Sequence, residues 1–328
     1  MCPTVSRLWG ELFAASAFAP LPHKMLFRMN DPFNLLDPDF LQQANAMRVV
    51  ARRVAPAGRW AEHRSRDRGQ GMEFRDYRPY SPGDELKSID WNVYRRLGRF
   101  VVRLFEEMED LPIYLMPDLS KSMWHDEPPR AVTAMKVAIA FASIGLDQHD
   151  RVGVLPFGED LDSSIRPTSG RGRLSLIADS LSRAGERARD LPTGTDLATA
   201  LSKLRGLRMR EGLLVIISDF FDPQGIEVMT TELKRTRHRP LLVVVGRGED
   251  REPSLQGDIR VRDCETGDMQ DVSVTSSVMQ EYRKAYDEHF GKLQEFARSR
   301  QGNLLFLDHE GDVMKQLSQL FEGGSYVA

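Results

Sequence analysis

The sequence predicts an α/β protein built on a doubly wound, mostly parallel sheet with helices on both faces. Two observations carry this. Strand-length apolar runs at 111–116, 151–157, 213–218, 240–245 and 303–307 are separated by longer segments with helical spacing, the alternation expected of parallel strands joined by crossover helices. The runs are also continuously apolar, as in Gly-Leu-Leu-Val-Ile-Ile-Ser-Asp ending at Asp219, which suits strands covered on both faces.

From the amino end, residues 1–34 read as a disordered extension. Residues 8–19 are mildly apolar and Ser16-Ala17-Phe18-Ala19 loosely resembles a cleavage site, but Glu11 interrupts the stretch, and an export signal is not the reading adopted. Met29 stands as an alternative start. Residues 35–110 form a small α+β unit. Asp37-Pro38 supplies a cap and a first-turn proline, after which Phe40, Leu41, Ala44, Met47 and Val50 recur at helical spacing to about Arg53. The Gly/Arg-rich stretch 64–71 is loop, and 74–80 and 100–108 alternate as strands flanking the turn at Pro82-Gly83-Asp84.

Residues 111–322 make the main domain. The strand at 111–116 leads to a nearly all-apolar, and therefore buried, helix at 131–146. Further helices are expected at 171–188, 196–207, 226–236, 277–300 and 312–321, interleaved with the strands above. A hairpin at 259–263 and 269–274 precedes the longest helix, its edge offering a partner surface, and 323–328 is a loose tail.

The most informative motif follows the 111–116 run, where the chain reads Met-Pro-Asp-Leu-Ser-Lys-Ser. Asp118, Ser120 and Ser122 offer one carboxylate and two hydroxyls, two residues apart, where the carboxyl end of a parallel strand opens into a loop. Ligands of open α/β sheets bind there. Hard oxygen donors suit Mg²⁺ or Mn²⁺ rather than zinc or copper(I). Three donors leave a six-coordinate ion short, so further oxygens must converge from other loops. Thr195, ahead of a helix, and Asp219, at the end of an apolar run, stand at such junctions. The alternative is a capped turn, since Asp and Ser also bond nearby backbone donors.

Asp-x-Ser-x-Ser with a distant Thr and a distant Asp resembles the metal-ion-dependent adhesion site of von Willebrand factor type A domains. The resemblance implies Asp118, Ser120, Ser122, Thr195 and Asp219 as its ligands. Thr195 is preferred to Thr193 because it stands six residues before Leu201, the family's spacing to the first buried position of the next helix. Upstream, Gly71-Met-Glu-Phe-Arg-Asp-Tyr-Arg-Pro-Tyr-Ser-Pro-Gly-Asp84, followed by Ile89-Asp90-Trp91 and Arg95, is similar to the bacterial family catalogued as domain of unknown function 58. That likeness covers roughly residues 35–320 and implies a von Willebrand factor A-like fold. Pro117 and Leu119 depart from the usual residues but remove no ligand. Read from the residues alone, the Arg78 to Trp91 block is a tight turn with a satisfied Arg–carboxylate pair and a packed indole; a recognition surface is the alternative.

The remaining features mainly exclude. With 328 residues, 41% of them hydrophobic, the chain can bury one substantial core plus a smaller unit. A net charge of −3 argues against a dedicated nucleic-acid binder, and the arginines from Arg48 to Arg103 are interleaved with carboxylates. No apolar run approaches the roughly 20 residues of a membrane span. Cys2 and Cys264 give neither a disulfide framework nor a metal pair, which points to the cytoplasm. The seven histidines lack ligand spacing and each reads as a surface or satisfied residue. There is no G-x-S-x-G elbow, and Gly170-Arg-Gly-Arg173 lacks the Lys-Ser/Thr of a phosphate loop.

A cation held by three neutral hydroxyls and two carboxylates stays electron-poor, so a Glu or Asp from another protein can complete its coordination. The expected role is therefore adhesion rather than catalysis. The family resemblance implies an adaptor or co-chaperone working with a MoxR-type AAA+ ATPase on a client that bears an acidic residue. A metal-dependent phosphohydrolase and a nucleic-acid accessory factor are the competing classes.

Overall fold

The computed structural model describes residues 32–44, 72–82, 84, 89–107, 112–162, 165–262 and 268–322. The extension before residue 32, the continuation of the first helix to Arg53, the arginine-rich stretch 64–71, both cysteines and the tail 323–328 lie outside them.

Helix α1 (38–44) starts as its sequence dictates, with Asp37 accepting a hydrogen bond from the Phe40 N–H at 3.1 Å. Strands β1 (Met72–Pro79) and β2 (Val101–Glu107) pair antiparallel, separated by α2 (Trp91–Leu97). The Arg78–Asp84 pair is present at 2.7 Å, and Asp84 also accepts from the Ser81 N–H at 2.9 Å. These two bonds, the backbone one foremost, hold the Asp84 carboxyl below its usual range. The indole departs from expectation. Trp91 is 53% exposed and touches only Tyr94 and Phe100 edge-on among the ring contacts described for it, because α2 has no buried residue to carry it into a core.

The main sheet has six strands in the order β10-β7-β6-β3-β4-β5. They are β3 (Ile113–Pro117), β4 (Val152–Val154), β5 (Ile165–Thr168), β6 (Leu213–Ser218), β7 (Arg239–Gly246) and β10 (Asn303–Asp308). All neighbours are parallel except β4 and β5. Counted within this sheet the order is 3-2-1-4-5-6, doubly wound. Every residue of β3 and of β6 is buried, because helices cover both faces.

Alternation along each strand divides the core in two. Leu115, Val215, Ile217 and Val243 face α3 (Arg130–Asp147), α4 (Leu174–Asp190) and α8 (Val313–Glu322). Tyr114, Met116, Leu214, Ile216 and Leu242 face α5 (Leu197–Gly206), α6 (Ile226–Lys234) and α7 (Ser276–Ser299). Each such aliphatic side chain contributes roughly 1.5–3 kcal/mol on burial. Helix α3 is buried on nearly every side, as its composition predicts. Phe33 and Leu35 join the first core half, Phe33 lying 5.7 Å from the Trp124 ring.

The hairpin forms between β8 (Gly257–Arg262) and β9 (Met269–Val274), with Ile259 opposite Val272. Two elements depart from the sequence expectation. Strand β5 is four residues long and contains Pro167, and α2 has no buried face. Two histidines also differ from a surface or satisfied role: His238 and His309 are buried, and His238 Nδ1 and His309 Nε2 have no hydrogen-bond partner among the described residues.

Candidate functional site

The sheet reverses its strand order at β3, whose neighbours are β4 and β6. At such a switch point the loops after adjacent strands diverge and leave a crevice at the carboxyl edge. Because β3 and β6 run parallel with Pro117 opposite Ile217, the residues that follow them, Asp118 and the pair Ser218-Asp219, emerge side by side.

Backbone bonds hold the Asp118 loop in register. The Asp118 N–H donates to the Ile217 carbonyl at 2.8 Å and the Leu119 N–H to the Phe157 carbonyl at 2.8 Å. The carboxylate is fully buried, with one oxygen accepting from the Ser120 N–H at 2.9 Å and the other from the Ser218 hydroxyl at 2.6 Å. Ser218 in turn accepts from the Phe220 N–H at 3.0 Å. The Ser120 and Ser122 hydroxyl oxygens lie 3.2 Å apart. Ser120 is buried and Ser122 half-buried.

The third loop joins through its backbone. The Lys121 N–H donates to the Thr193 carbonyl at 2.8 Å and the Asp196 N–H to the Gly158 carbonyl at 3.0 Å. Thr195 is buried at this junction, whereas Thr193 is exposed. Asp196 caps α5, accepting from the Thr199 N–H at 2.7 Å. Gly158 permits the approach, since a Cβ there would lie 2.7 Å from Thr193 Oγ1 and 3.4 Å from the Gly194 carbonyl. Gly158→Ala is accordingly expected to turn the exposed Thr193 side chain aside, costing about 1 kcal/mol in urea unfolding.

The electrostatics are those of a crowded acidic pair. Burial raises the Asp118 carboxyl, the charge of Asp219 raises it further, and the Ser120 and Ser218 bonds oppose them; the result is about 7. Asp219 is itself only 4% exposed. Two carboxylates desolvated together are relieved by a proton on one of them or by a nearby positive charge. Arg130, at the start of α3, supplies part of that charge from outside. It is bonded to Asp126 and lies 3.0 Å from Asp250. Burial works against its charge, but Asp250, Asp126 and Asp219 outweigh that and hold it protonated. Among the described residues no three His, Cys, Asp or Glu side chains gather as a metal cluster, so a cation here would depend on the hydroxyls as much as on the two aspartates.

Of the five residues anticipated from the sequence, Asp118, Ser120 and Ser122 are linked by hydrogen bonds, Asp219 is within electrostatic reach of Asp118, and Thr195 is buried on a loop whose Thr193 carbonyl accepts from the Lys121 N–H. Sequence reasoning missed two participants. Ser218 stands beside Asp219 and was visible as a polar residue closing an apolar run. Arg130 carries no local signal, because its relation to Asp219 arises only in three dimensions.

Comparison with known proteins finds relatives that align with about three quarters of this chain. It is 26% identical over 255 residues to the uncharacterized proteins Rv1480 of Mycobacterium tuberculosis (strain H37Rv) and Mb1516 of Mycobacterium bovis, covering 76% of this chain and 78% of each relative. The conserved hypothetical protein BatB of Bacteroides thetaiotaomicron superposes on 66% of this chain and 98% of its own at 18% identity and a TM-score of 0.39. The manganese-loaded TRAP protein of Plasmodium vivax superposes on 43% and 59% at 20% identity and a TM-score of 0.30. The model described as "Protein of unknown function DUF58" matches residues 76–292, a stretch running from the Arg78–Asp84 turn through every residue of the site, and the chain belongs to that family.

Proposed function

We propose that this protein is an adaptor that grips other proteins through a divalent cation, Mg²⁺ or Mn²⁺, held at the carboxyl edge of its sheet. The observation that carries the reading is the convergence of Asp118 and Asp219, both buried, at the switch point, with Ser120, Ser122 and Thr195 on the surrounding loops. The donor set fits a hard ion: all five groups are oxygens, and the strain of placing two carboxylates together is what a bound cation relieves. When bound, the ion would supply an electrophilic point for an incoming carboxylate.

The chain's own side chains do the rest. Ser218 orients one Asp118 oxygen and the Ser120 N–H the other, leaving the Ser120 and Ser122 hydroxyls adjacent. Such supporting bonds tune a metal site nearly as strongly as its ligands do. Three neutral hydroxyls against two carboxylates keep the ion short of negative charge, which favours a Glu or Asp donated by a client. The family resemblance supports a MoxR-type AAA+ ATPase as the working partner, in assembly or maturation of another complex. Among the described residues no helix is long and apolar enough to cross a membrane, and the net charge of −3 does not favour nucleic acid.

Titration calorimetry with MgCl₂ and MnCl₂, alone and with the partner ATPase, tests this directly. Wild type is expected to bind one ion per chain and to retain the ATPase only when the ion is present, with both properties lost in Asp118→Ala and Asp219→Ala. Equal binding by those variants, or none by wild type under either condition, would overturn the reading. Phosphate release that disappears in Asp118→Ala would replace it with hydrolysis.

A further inference from the structure

A cavity lies toward the other end of the sheet. A pocket of about 420 Å³ is lined by Arg151, Arg166, Arg208 and Arg210 together with Leu155 and Met209. Tyr114 and Leu155, each 1% exposed, bring the buried core up to its wall. The arginines come from separate segments: Arg151 precedes β4, Arg166 lies in β5, and Arg208 and Arg210 follow α5. The Tyr114 hydroxyl donates to the Arg210 carbonyl at 2.7 Å, tying the segment after α5 to the central strand. Arg208 turns the chain with a φ of 48°, between Leu207, 48% exposed, and half-buried Met209. Among the described residues no carboxylate lines the pocket, although the chain as a whole carries a charge of −3.

This combination selects its ligand. Arg151, Arg166 and Arg208 in the lining, beside an apolar wall, disfavour a cation, and a purely apolar group would leave their charge unused. They fit an anion attached to an apolar body, and the planar fork of arginine matches a carboxylate with two parallel hydrogen bonds. The helix end that adjoins the pocket is the carboxyl end of α5, not an amino end whose N–H groups cradle a phosphate. Leu207 continues the apolar surface beyond the cavity, which serves a chain running past the pocket better than an enclosed small molecule. The volume is at the lower end of ligand pockets, room for a few side chains. The positive field of Arg151 and Arg210 also reaches the Tyr114 hydroxyl and opposes the upward effect of burial on it.

We infer that this pocket is a second protein-binding site, which takes a short acidic segment of a partner carrying an apolar side chain beside its carboxylates. It does not depend on the metal reading. Residues 112 and 210 flank the amino ends of β3 and β6, whereas Asp118 and Asp219 follow their carboxyl ends, about 16 Å away along a five-residue strand. One chain could therefore hold a client at one edge and a second protein at the other.

The test is a selection of random twelve-residue peptides displayed on phage against the full chain in EDTA, which silences any divalent-cation site. Enriched peptides are synthesised with a fluorescent label and their affinity measured by anisotropy. The expected result is enrichment of peptides combining Asp or Glu with Leu, Ile or Phe. Their binding should weaken at least tenfold in Arg166→Glu/Arg208→Glu, persist in Asp118→Ala and fall with added salt. Both arginines are exposed; if circular dichroism shows the charge-reversed protein misfolded, Arg166→Gln/Arg208→Gln takes its place with the same criterion. No enrichment, enrichment of peptides without carboxylates, or equal affinity for the arginine variant overturns the inference. Loss of binding in Asp118→Ala would also overturn it, by moving the peptides to the other edge.

Discussion

Gly302→Ala is expected to destabilise the protein by on the order of 2–4 kcal/mol, through a backbone collision rather than a lost contact. A Cβ at Gly302 would lie 1.9 Å from the Pro240 carbonyl oxygen and 3.0 Å from its carbon. Neither atom belongs to a flexible side chain, so the start of β10 must move away from β7, where Asn303 sits opposite Leu241. That movement weakens the ladder joining the last strand to the sheet and loosens Leu305 and Leu307 in the core. For a domain of this size such a loss lowers the melting temperature by roughly 5–15 °C. Gly291 is the control. It lies on the exposed side of α7, where an added methyl group would meet nothing within 4 Å, and Gly291→Ala should instead stabilise by up to about 1 kcal/mol through helix propensity. If calorimetry finds the two variants equally stable, the close approach of β10 to β7 is wrong.

Divalent cations should stabilise the protein strongly at pH 8 and weakly at pH 5. The folded-state pKa of Asp118 is raised from its ordinary 3.8 to about 7, first by burial and then by Asp219. Between these two values the folded chain holds a proton that the unfolded chain has released, so unfolding releases it. In the absence of metal the contribution of this group to stability therefore falls as pH rises through that window, and the loss is complete above about 7. A cation bound by the ionised pair reverses the penalty where both carboxylates are charged. At about a hundred times its dissociation constant it adds about 2.7 kcal/mol, which is several degrees in melting temperature. At pH 5 it must first displace the proton and the shift shrinks. Asp118→Asn removes the titrating group, so its metal-free stability should fall less steeply with pH and Mg²⁺ should leave its melting temperature unchanged. A Mg²⁺-induced shift of the same size at both pH values, or one retained in Asp118→Asn, contradicts the proposed metal site.

The legibility of the fold varied with how each element is buried. Strands β3, β6 and β7 declared themselves because coverage on both faces demands an unbroken apolar run, and α3 because a helix packed on almost every side must be apolar almost all round. Strand β5 was illegible. It is a short edge strand with half-exposed residues and a proline, so neither alternation nor a continuous run marks it. Helix α2 was missed for a related reason. Its end signals were present, Asp90 accepting from the Asn92 N–H at 2.9 Å and Gly98 closing it with φ 62°, but without a buried face it has no apolar periodicity to read. The unbonded ring nitrogens of His238 and His309 were invisible too, since burial of a single polar side chain is a property of the packing around it.

What the sequence determined by itself is the inventory: which segments are strands buried on both faces, which helices cover them, and which oxygen-bearing side chains stand at the strand ends. Those are local properties, set by runs of apolar residues and by the residue that interrupts each run. The tertiary structure alone decided which ends meet. Asp118 and Ser218 are 100 residues apart and become neighbours because β3 pairs with β6 at the point where the strand order reverses. Arg130 reaches Asp219, and four arginines surround one pocket at the opposite edge, for the same reason. A charge is placed by the parallel ladder and the crossovers that build it, and no spacing along the chain encodes that placement.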